Sequence, residues 1–257
     1  MSPRWTFTWV ATFLLVVGAV LVGAPEARAL AIIVPGDKTN VDGSGGNAMP
    51  FSTVTSMRYQ QVYGASEFLP FGNSLAFTEI RFRLGSSVEL AFSGSIDDIQ
   101  LNLSTTSANP DGLSTTFANN VGADDTVVFA RGSLPLSSAG VGSDPQPFDI
   151  VISLTTPFTY DPTLGNLLLD IRKFSADEVP PTFDAHDDGF AGGDAISRVF
   201  AFDVNAATGQ TDNFNSIGLV TLFDDGATVP EPGVSSLLVA AVFGLAARCR
   251  RSHRIRA

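Results

Sequence analysis

The sequence has 257 residues and is acidic, with 26 aspartates and glutamates against 15 lysines and arginines and a net charge of −11. The stretch from Leu30 to Val229 is more acidic still, because it holds 24 acidic and 8 basic residues, a net charge of −16. Such a surface repels phosphate backbones, so we expect no nucleic-acid partner. The single cysteine, Cys249, lies near the C-terminus, which excludes an intrachain disulfide.

Residues 1–29 carry the features of a secretory signal peptide. Arg4 precedes an uncharged, mostly apolar run over 5–24, and Ala27 and Ala29 form an A-x-A cleavage site before Leu30. We therefore predict export through the Sec machinery with removal of this segment. An uncleaved membrane anchor is the alternative, because the apolar run approaches spanning length.

Residues 30–57 are rich in glycine, serine and asparagine, above all in the stretch Asp-Gly-Ser-Gly-Gly-Asn at 42–47. This composition is typical of flexible segments, so we predict a flexible lead-in. The folded domain is then expected at 58–227.

From residue 58 onward, apolar residues alternate with polar ones in short stretches separated by turn residues. Period-2 alternation predicts strands that place one face in a core and the other in solvent. In the stretch 167–171, we therefore expect Leu168 and Asp170 to lie on the solvent face, away from the core. The apolar members are Ile80, Phe82 and Leu84; Ile99, Leu101 and Leu103; Phe148, Ile150, Ile152 and Leu154; and Leu167, Leu169 and Ile171. Further strands are expected at 58–63, 88–92, 126–130, 197–204 and 216–223.

Between residues 58 and 227 no window shows the 3.6-residue periodicity of a helix. Eight or nine short strands without helices predict an all-β fold, an antiparallel two-sheet sandwich of jelly-roll type.

One polar cluster resembles the start of a calcium loop. Asp184, His186 and Asp188 occupy alternate positions before Gly189, so hard oxygen ligands and a turn glycine are present. The pattern then fails, because Ala195 stands where the loop needs a bidentate glutamate. A solvated acidic turn is the favoured interpretation, and calcium is the only cofactor considered.

Catalytic chemistry has little support in the sequence. His186 is the only histidine of the exported part, and no cysteine or Gly-x-Ser-x-Gly elbow accompanies it. A carboxylate pair for glycoside hydrolysis stays open, because such pairs are defined in space. Tyr59, Tyr63 and Tyr160 are explained by core packing as well as by ligand contact. We expect a non-enzymatic domain.

The C-terminal segment, 228–257, has three parts. Val229, Pro230, Glu231 and Pro232 form an extended stretch, because the prolines fix φ and remove backbone donors. The uncharged run 233–247 would cover about 22 Å as a helix, short of a hydrocarbon core about 30 Å thick. Arginines follow over 248–257 and favour the cytoplasmic side; the anchor residues are Arg248, Arg250 and Arg251.

This combination resembles the PEP-CTERM sorting signal. The resemblance implies recognition by an exosortase, a membrane-embedded cysteine-protease-like enzyme, and removal of the tail during export. It also implies a Gram-negative bacterium that produces biofilm or exopolysaccharide.

Phrases at 58–63, 99–106, 117–129, 156–162, 165–171 and 197–199 likewise resemble a recurrent ectodomain of PEP-CTERM proteins. That resemblance implies a shared fold but no catalytic residues. We therefore expect a protein anchored transiently in the membrane and then placed at the cell surface or in the extracellular matrix, with polysaccharide or further copies of itself as partner. A carbohydrate-active hydrolase and a calcium-dependent adhesion module are the alternatives.

Overall fold

Strands dominate the protein, as the period-2 patterning predicts. The computed structural model describes residues 30–85, 90–140, 142, 144–179, 182–187, 195–211 and 217–226. Helical turns within these ranges are four 3-10 helices of three residues each. The strands are β1 (Ala31–Val34), β2 (Gly45–Asn47), β3 (Met57–Tyr63), β4 (Leu75–Phe82), β5 (Phe92–Thr106), β6 (Thr126–Ser138), β7 (Ile150–Tyr160), β8 (Asn166–Lys173), β9 (Phe183–His186), β10 (Ile196–Ala201), β11 (Gly218–Leu219) and β12 (Thr221–Asp224).

The strands form antiparallel sheets, which confirms the prediction of an antiparallel all-β fold. One sheet has the order β1-β12-β4-β7, and a second has the order β10-β3-β8-β5-β6. A third, small sheet of order β11-β9-β2 departs from the expectation of two sheets. It continues the first sheet, because Leu84, just after β4, bridges to Phe183 at the start of β9. The result is a sandwich-like arrangement.

The core lies between the two larger sheets. Tyr63 of β3 meets Phe223 of β12 edge to face, with ring centroids 4.9 Å apart. Such a pair contributes roughly 0.5–1.5 kcal/mol beyond its buried area. In β7 the predicted alternation is visible, because Ile150 and Ile152 are buried while Val151 is exposed.

The outer face of the five-stranded sheet is covered as well, so the expectation that Leu168 and Asp170 face solvent is wrong. Leu168 is only 1% exposed, and Asp170 is also buried. Asp170 accepts hydrogen bonds from Arg58 (2.7 Å) and from Gln60 (2.9 Å). Gln60 also donates to the carbonyl of Phe117 (3.2 Å). The β5–β6 connection therefore lies over this face near Asp170, and both Leu168 and Asp170 are removed from solvent.

The prediction of a flexible lead-in at 30–57 is wrong. β1 pairs with β12 and β2 pairs with β9, while Ile32 and Val34 are buried in the core. The glycines allow close packing here, because a Cβ on Gly43 would collide with the carbonyl oxygen of Ala185. Residues 30–57 therefore belong to the folded domain.

Several strands have bounds that differ from the predicted ones. β6 continues to Ser138, well past the predicted end at 130, and 216–223 is divided between β11 and β12. β5 begins only at Phe92, and residues 86–89 and 212–216 lie outside the described ranges. β9 was not predicted, because its four residues, Phe-Asp-Ala-His, lack a distinctive strand pattern.

Candidate functional site

The expected sorting residues lie outside the described part of the structure, as does most of the signal-cleavage site. Within the described ranges, none of the helices has the length and apolar character needed to cross a membrane. Leu30, the first residue after the expected cleavage site, is described. The residues outside are Ala27 and Ala29; Val229, Pro230, Glu231 and Pro232; the run 233–247; and Arg248, Arg250 and Arg251.

Leu30 lies beside the last described residues of the chain. The pairing of β1 with β12 places Ala31 opposite Asp224, and the N–H of Asp225 donates to the carbonyl of Leu30 (3.3 Å). Gly226 follows with a φ of +66°, a left-handed conformation that glycine adopts without strain. The two boundaries of the domain are therefore neighbours in the first sheet.

Both boundaries point toward one end of the sheets. β4 starts at Leu75, opposite Tyr160, and runs away from that end, whereas β12 is antiparallel to β4 and returns toward it. Gly226 has reached the level of Thr78, because a Cβ on Gly226 would meet the Thr78 hydroxyl. Three strand residues, or about 10 Å, separate this level from the start of β4.

We call this end the terminal end and define it by the connecting segments 64–72, 107–112 and 161–166. The N–H of Ala65 donates to Oδ1 of Asn166 (2.8 Å), and Nδ2 of Asn166 donates to the carbonyl of Ala108 (2.9 Å). These two bonds join all three segments, so they form one continuous end of the domain.

The terminal end exposes apolar side chains. The 3-10 helix Leu69–Phe71 is exposed at all three of its residues, with Leu69 49% and Phe71 47% exposed. Leu164, in the turn between β7 and β8, is 75% exposed. An apolar surface is thus presented at the end where the chain enters and leaves the domain.

Asp184, the first of the candidate calcium ligands, lies in a buried ion pair. It belongs to β9 and is inaccessible to solvent, so the interpretation as a solvated acidic turn is wrong for this residue. Its Oδ2 accepts from Nε of Arg83 (2.6 Å), and its Oδ1 accepts from the N–H of Gly43 (2.9 Å). The physical reason is the pairing of β9 with β2 and β11 on its two sides.

Arg83 links Asp184 to the N-terminal segment of the domain. Its guanidinium also donates to the carbonyls of Lys38 (3.0 Å) and Val41 (2.7 Å), and it lies 4.8 Å from the ring centroid of Phe148. Burial raises the pKa of Asp184 to about 6, although the charge of Arg83 opposes this shift. The arrangement holds the N-terminal segment onto the sheets.

Two of the three candidate calcium ligands, Asp184 and His186, lie in the described part of the chain. His186 is buried in β9, and Asp188 lies outside the described ranges. Where the chain is described, no three histidine, cysteine, aspartate or glutamate side chains are grouped closely enough to hold a metal ion. Calcium binding stays an untested alternative, and both oxygens of Asp184 are already engaged, by Arg83 and by Gly43.

The three tyrosines are all buried and pack the core. The hydroxyl of Tyr59 donates to Gln61 (2.6 Å), that of Tyr63 lies 2.9 Å from the hydroxyl of Thr221, and that of Tyr160 donates to the carbonyl of Gly165 (2.7 Å). Burial raises the pKa of Tyr59 to about 12. None of the three rings is therefore offered to a ligand from solvent.

Two features of the site, the buried Arg83 and the exposed turn Leu69–Phe71, were not predicted from the sequence. Arg83 alternates with apolar residues in the same way as Arg81, so the pattern predicts a solvent-facing position for both. The exposed turn Leu69–Phe71 had only a weak signal, an apolar tripeptide followed by Gly72.

Comparison of the chain with known proteins gives no match to a family model, to a curated protein or to a solved structure. Its function is therefore inferred from its own residues and geometry.

Proposed function

We propose that this chain is an exported protein of the bacterial cell surface or extracellular matrix, sorted by an exosortase through residues 228–257. The observation that carries the proposal is the tail itself, with its motif 229–232, its uncharged run 233–247 and the arginines that follow. The prolines on both sides of Glu231 favour an extended, accessible segment that an enzyme can bind. The arginines favour retention of the end in the cytoplasm until the tail is cut.

The fold supports processing at both ends. β1 begins at Ala31, directly after the expected new N-terminus at Leu30, and β12 ends at Asp224, before the motif starts at Val229. Cleavage at these two places would leave every described strand and the core between the sheets intact. The mature protein would therefore keep its fold without either terminal segment.

Within this proposal the domain is a jelly roll. When β1, β3, β4, β5, β6, β7, β8 and β12 are lettered B to I, the first sheet has the order B-I-D-G and the second the order C-H-E-F. This order supports the double Greek key of an eight-stranded jelly roll. β10 adds to the edge of the second sheet beside C, and β2, β9 and β11 form the small third sheet.

The domain acts in this proposal as a non-enzymatic module associated with exopolysaccharide or with further copies of itself. The buried polar groups support a structural role, because the Arg83–Asp184 pair, Asp170 and the three tyrosines all form hydrogen bonds within the domain. A pull-down of the processed protein with envelope polysaccharide tests the association. Recovery with polysaccharide is expected, and release of reducing sugar in the same mixture would instead favour a hydrolase.

The sorting step is tested by replacing Pro230, Glu231 and Pro232 together by alanine in the producing bacterium. The uncut precursor should then accumulate in the membrane fraction, because the rigid recognition segment is lost. Thr228→Ala, which lies just outside the motif, is the matched control and should be processed like the wild type. Normal processing of the triple variant would refute recognition through this motif.

A further inference from the structure

We propose that the terminal end of the domain is a lipid-contacting surface. While the tail holds the precursor in the membrane, Leu69, Phe71 and Leu164 contact the outer headgroup layer of a bilayer rich in zwitterionic lipids. This inference rests on the proposed function, because it requires an inserted tail.

Chain length brings the terminal end close to the bilayer. Six residues, 227–232, join Gly226 to the apolar run that starts at Gly233. Fully extended, they reach at most about 20 Å. About 10 Å of that reach is used to travel from the level of Thr78 to the end of the sheet. The remaining reach of about 10 Å is comparable to the headgroup layer on one side of a bilayer, so the connection is short enough to bring the terminal end to this layer.

The apolar turn is mounted on a buried anchor. Phe68, directly before Leu69, has its ring 5.1 Å from that of Tyr160 and 5.5 Å from that of Phe223. The core therefore fixes the turn while its three residues stay in solvent. Because the backbone of the turn is already ordered, its apolar side chains can enter the boundary between headgroups and acyl chains at a smaller entropic cost than those of a flexible loop.

The other exposed large apolar side chains of the described ranges do not combine such a turn with proximity to Gly226. Isolated exposed apolar residues are normal on soluble proteins and need no partner. They are Val41, Val54, Leu90, Val127, Val151 and Phe202.

The charges of the terminal end select the lipid class. Its three segments contain Glu67, Asp111 and Asp161 and neither lysine nor arginine. Anionic headgroups would be repelled by these carboxylates, whereas basic clusters are what bind anionic lipid. A bilayer surface of zwitterionic headgroups is therefore the partner that fits.

Tryptophan fluorescence tests the contact in the full-length chain. The only tryptophans of the sequence are Trp5 and Trp9, so replacing both by phenylalanine gives a background without tryptophan. Phe71→Trp then reports on the terminal end, and Phe202→Trp is the matched control. Phe202 is 53% exposed and follows Ala201, which pairs with Arg58 at the opposite end of the second sheet.

The precursor is reconstituted into phosphatidylcholine vesicles with and without brominated acyl chains. We expect the emission of Phe71→Trp to shift to the blue and to be quenched by brominated lipid, while Phe202→Trp shows neither effect. Leu164→Trp should behave like Phe71→Trp, and near-ultraviolet circular dichroism checks that each variant is folded. Replacing half of the lipid by phosphatidylglycerol should weaken the quenching, and stronger quenching would overturn the zwitterionic assignment.

Flotation of the vesicles separates failure of this inference from failure of the proposed function. A version of the precursor without residues 1–29, whose apolar run could itself insert, should still float with the vesicles. If it does not float, the tail is not inserted, which contradicts the proposed function and with it the lipid contact. A precursor that floats but leaves Phe71→Trp unquenched overturns the lipid contact alone. A blue shift without bromine quenching, together with cross-linked dimers, would assign the terminal end to contact between copies and would also overturn the proposal.

Discussion

Replacing Arg83 by alanine is expected to destabilise the domain by about 3–5 kcal/mol at pH 8, because it leaves the charged Asp184 carboxylate buried without its partner. The two side chains are 1% and 0% exposed, so water cannot easily take the place of the guanidinium. The bonds from Arg83 to the carbonyls of Lys38 and Val41 are lost as well, at about 1–3 kcal/mol for each carbonyl that water does not reach. The cost should be smaller at pH 5, where Asp184, with a pKa of about 6, is mostly protonated.

A second ion pair with similar bond lengths provides the control. Arg131 donates to the two oxygens of Asp98 at 2.8 and 2.7 Å, but these side chains are 53% and 37% exposed. An exposed pair of this kind is worth about 0–1 kcal/mol. The exposed pair has two hydrogen bonds and the buried pair only one, so a stronger coupling in the buried pair would have to come from burial.

Double-mutant cycles measured by urea unfolding at pH 8 compare the pairs directly. One cycle uses Arg83→Ala with Asp184→Asn, and the other uses Arg131→Ala with Asp98→Asn, so the contact of each arginine with a neighbouring ring cancels. The coupling energy of the first cycle should clearly exceed that of the second. Equal coupling energies would refute the reasoning that burial sets the strength of the Arg83–Asp184 pair.

The pKa of Asp184, about 6 in the folded state against an ordinary 3.8, means that the folded state binds an extra proton between about pH 4 and 6. Its contribution to stability should therefore fall as the pH rises through this window, and Asp184→Asn should remove that slope from the unfolding free energy measured against pH. Leu169→Ala and Leu168→Ala should each cost about 2–5 kcal/mol in the same unfolding assay, because both side chains are buried; an unaffected Leu168→Ala would mean that the outer face of β8 is open. Gly43→Ala should lower the melting temperature because its Cβ has no room, whereas Gly45→Ala, with no atom within 4 Å of the new Cβ, should not; equal melting temperatures would contradict the tight packing of the N-terminal segment.

The sequence allowed prediction of those parts of the fold that depend on local patterning. Leu167, Leu169 and Ile171 alternate along β8 and are buried as expected. The burial of Leu168 and Asp170 depends instead on the β5–β6 connection, which reaches β8 through Phe117 and Gln60. No period within β8 can report a cover that comes from so distant a part of the chain.

The interpretation of the glycine-rich stretch was the second source of error in the fold prediction. A run of glycine and serine at 42–47 has the composition of a flexible linker, yet Gly43 donates to Asp184 and leaves no space for a side chain beside Ala185. Composition alone cannot distinguish a glycine that gives freedom from one that permits close approach. The burial of Arg83 was also missed, because its partner Asp184 is 101 positions away along the chain and local patterning cannot reveal it.

The candidate site likewise has one part that the sequence predicts and another that only the fold reveals. The sorting motif at 229–232 was predicted from sequence because it would be a local signal, and it stays a prediction. The pairing of β1 with β12, which places Leu30 beside Asp225, and the apolar turn at 69–71 could be found only from the fold. The sequence therefore predicts a sorting signal, but it did not predict the exposed apolar residues of the terminal end.

Mass spectrometry of the mature protein, purified from the surface of the producing bacterium, tests the central claim of exosortase sorting most directly. The account predicts an N-terminal peptide that starts at Leu30 and no peptide from residues 248–257. A surface-exposed mature protein that still carries those tail residues would contradict it.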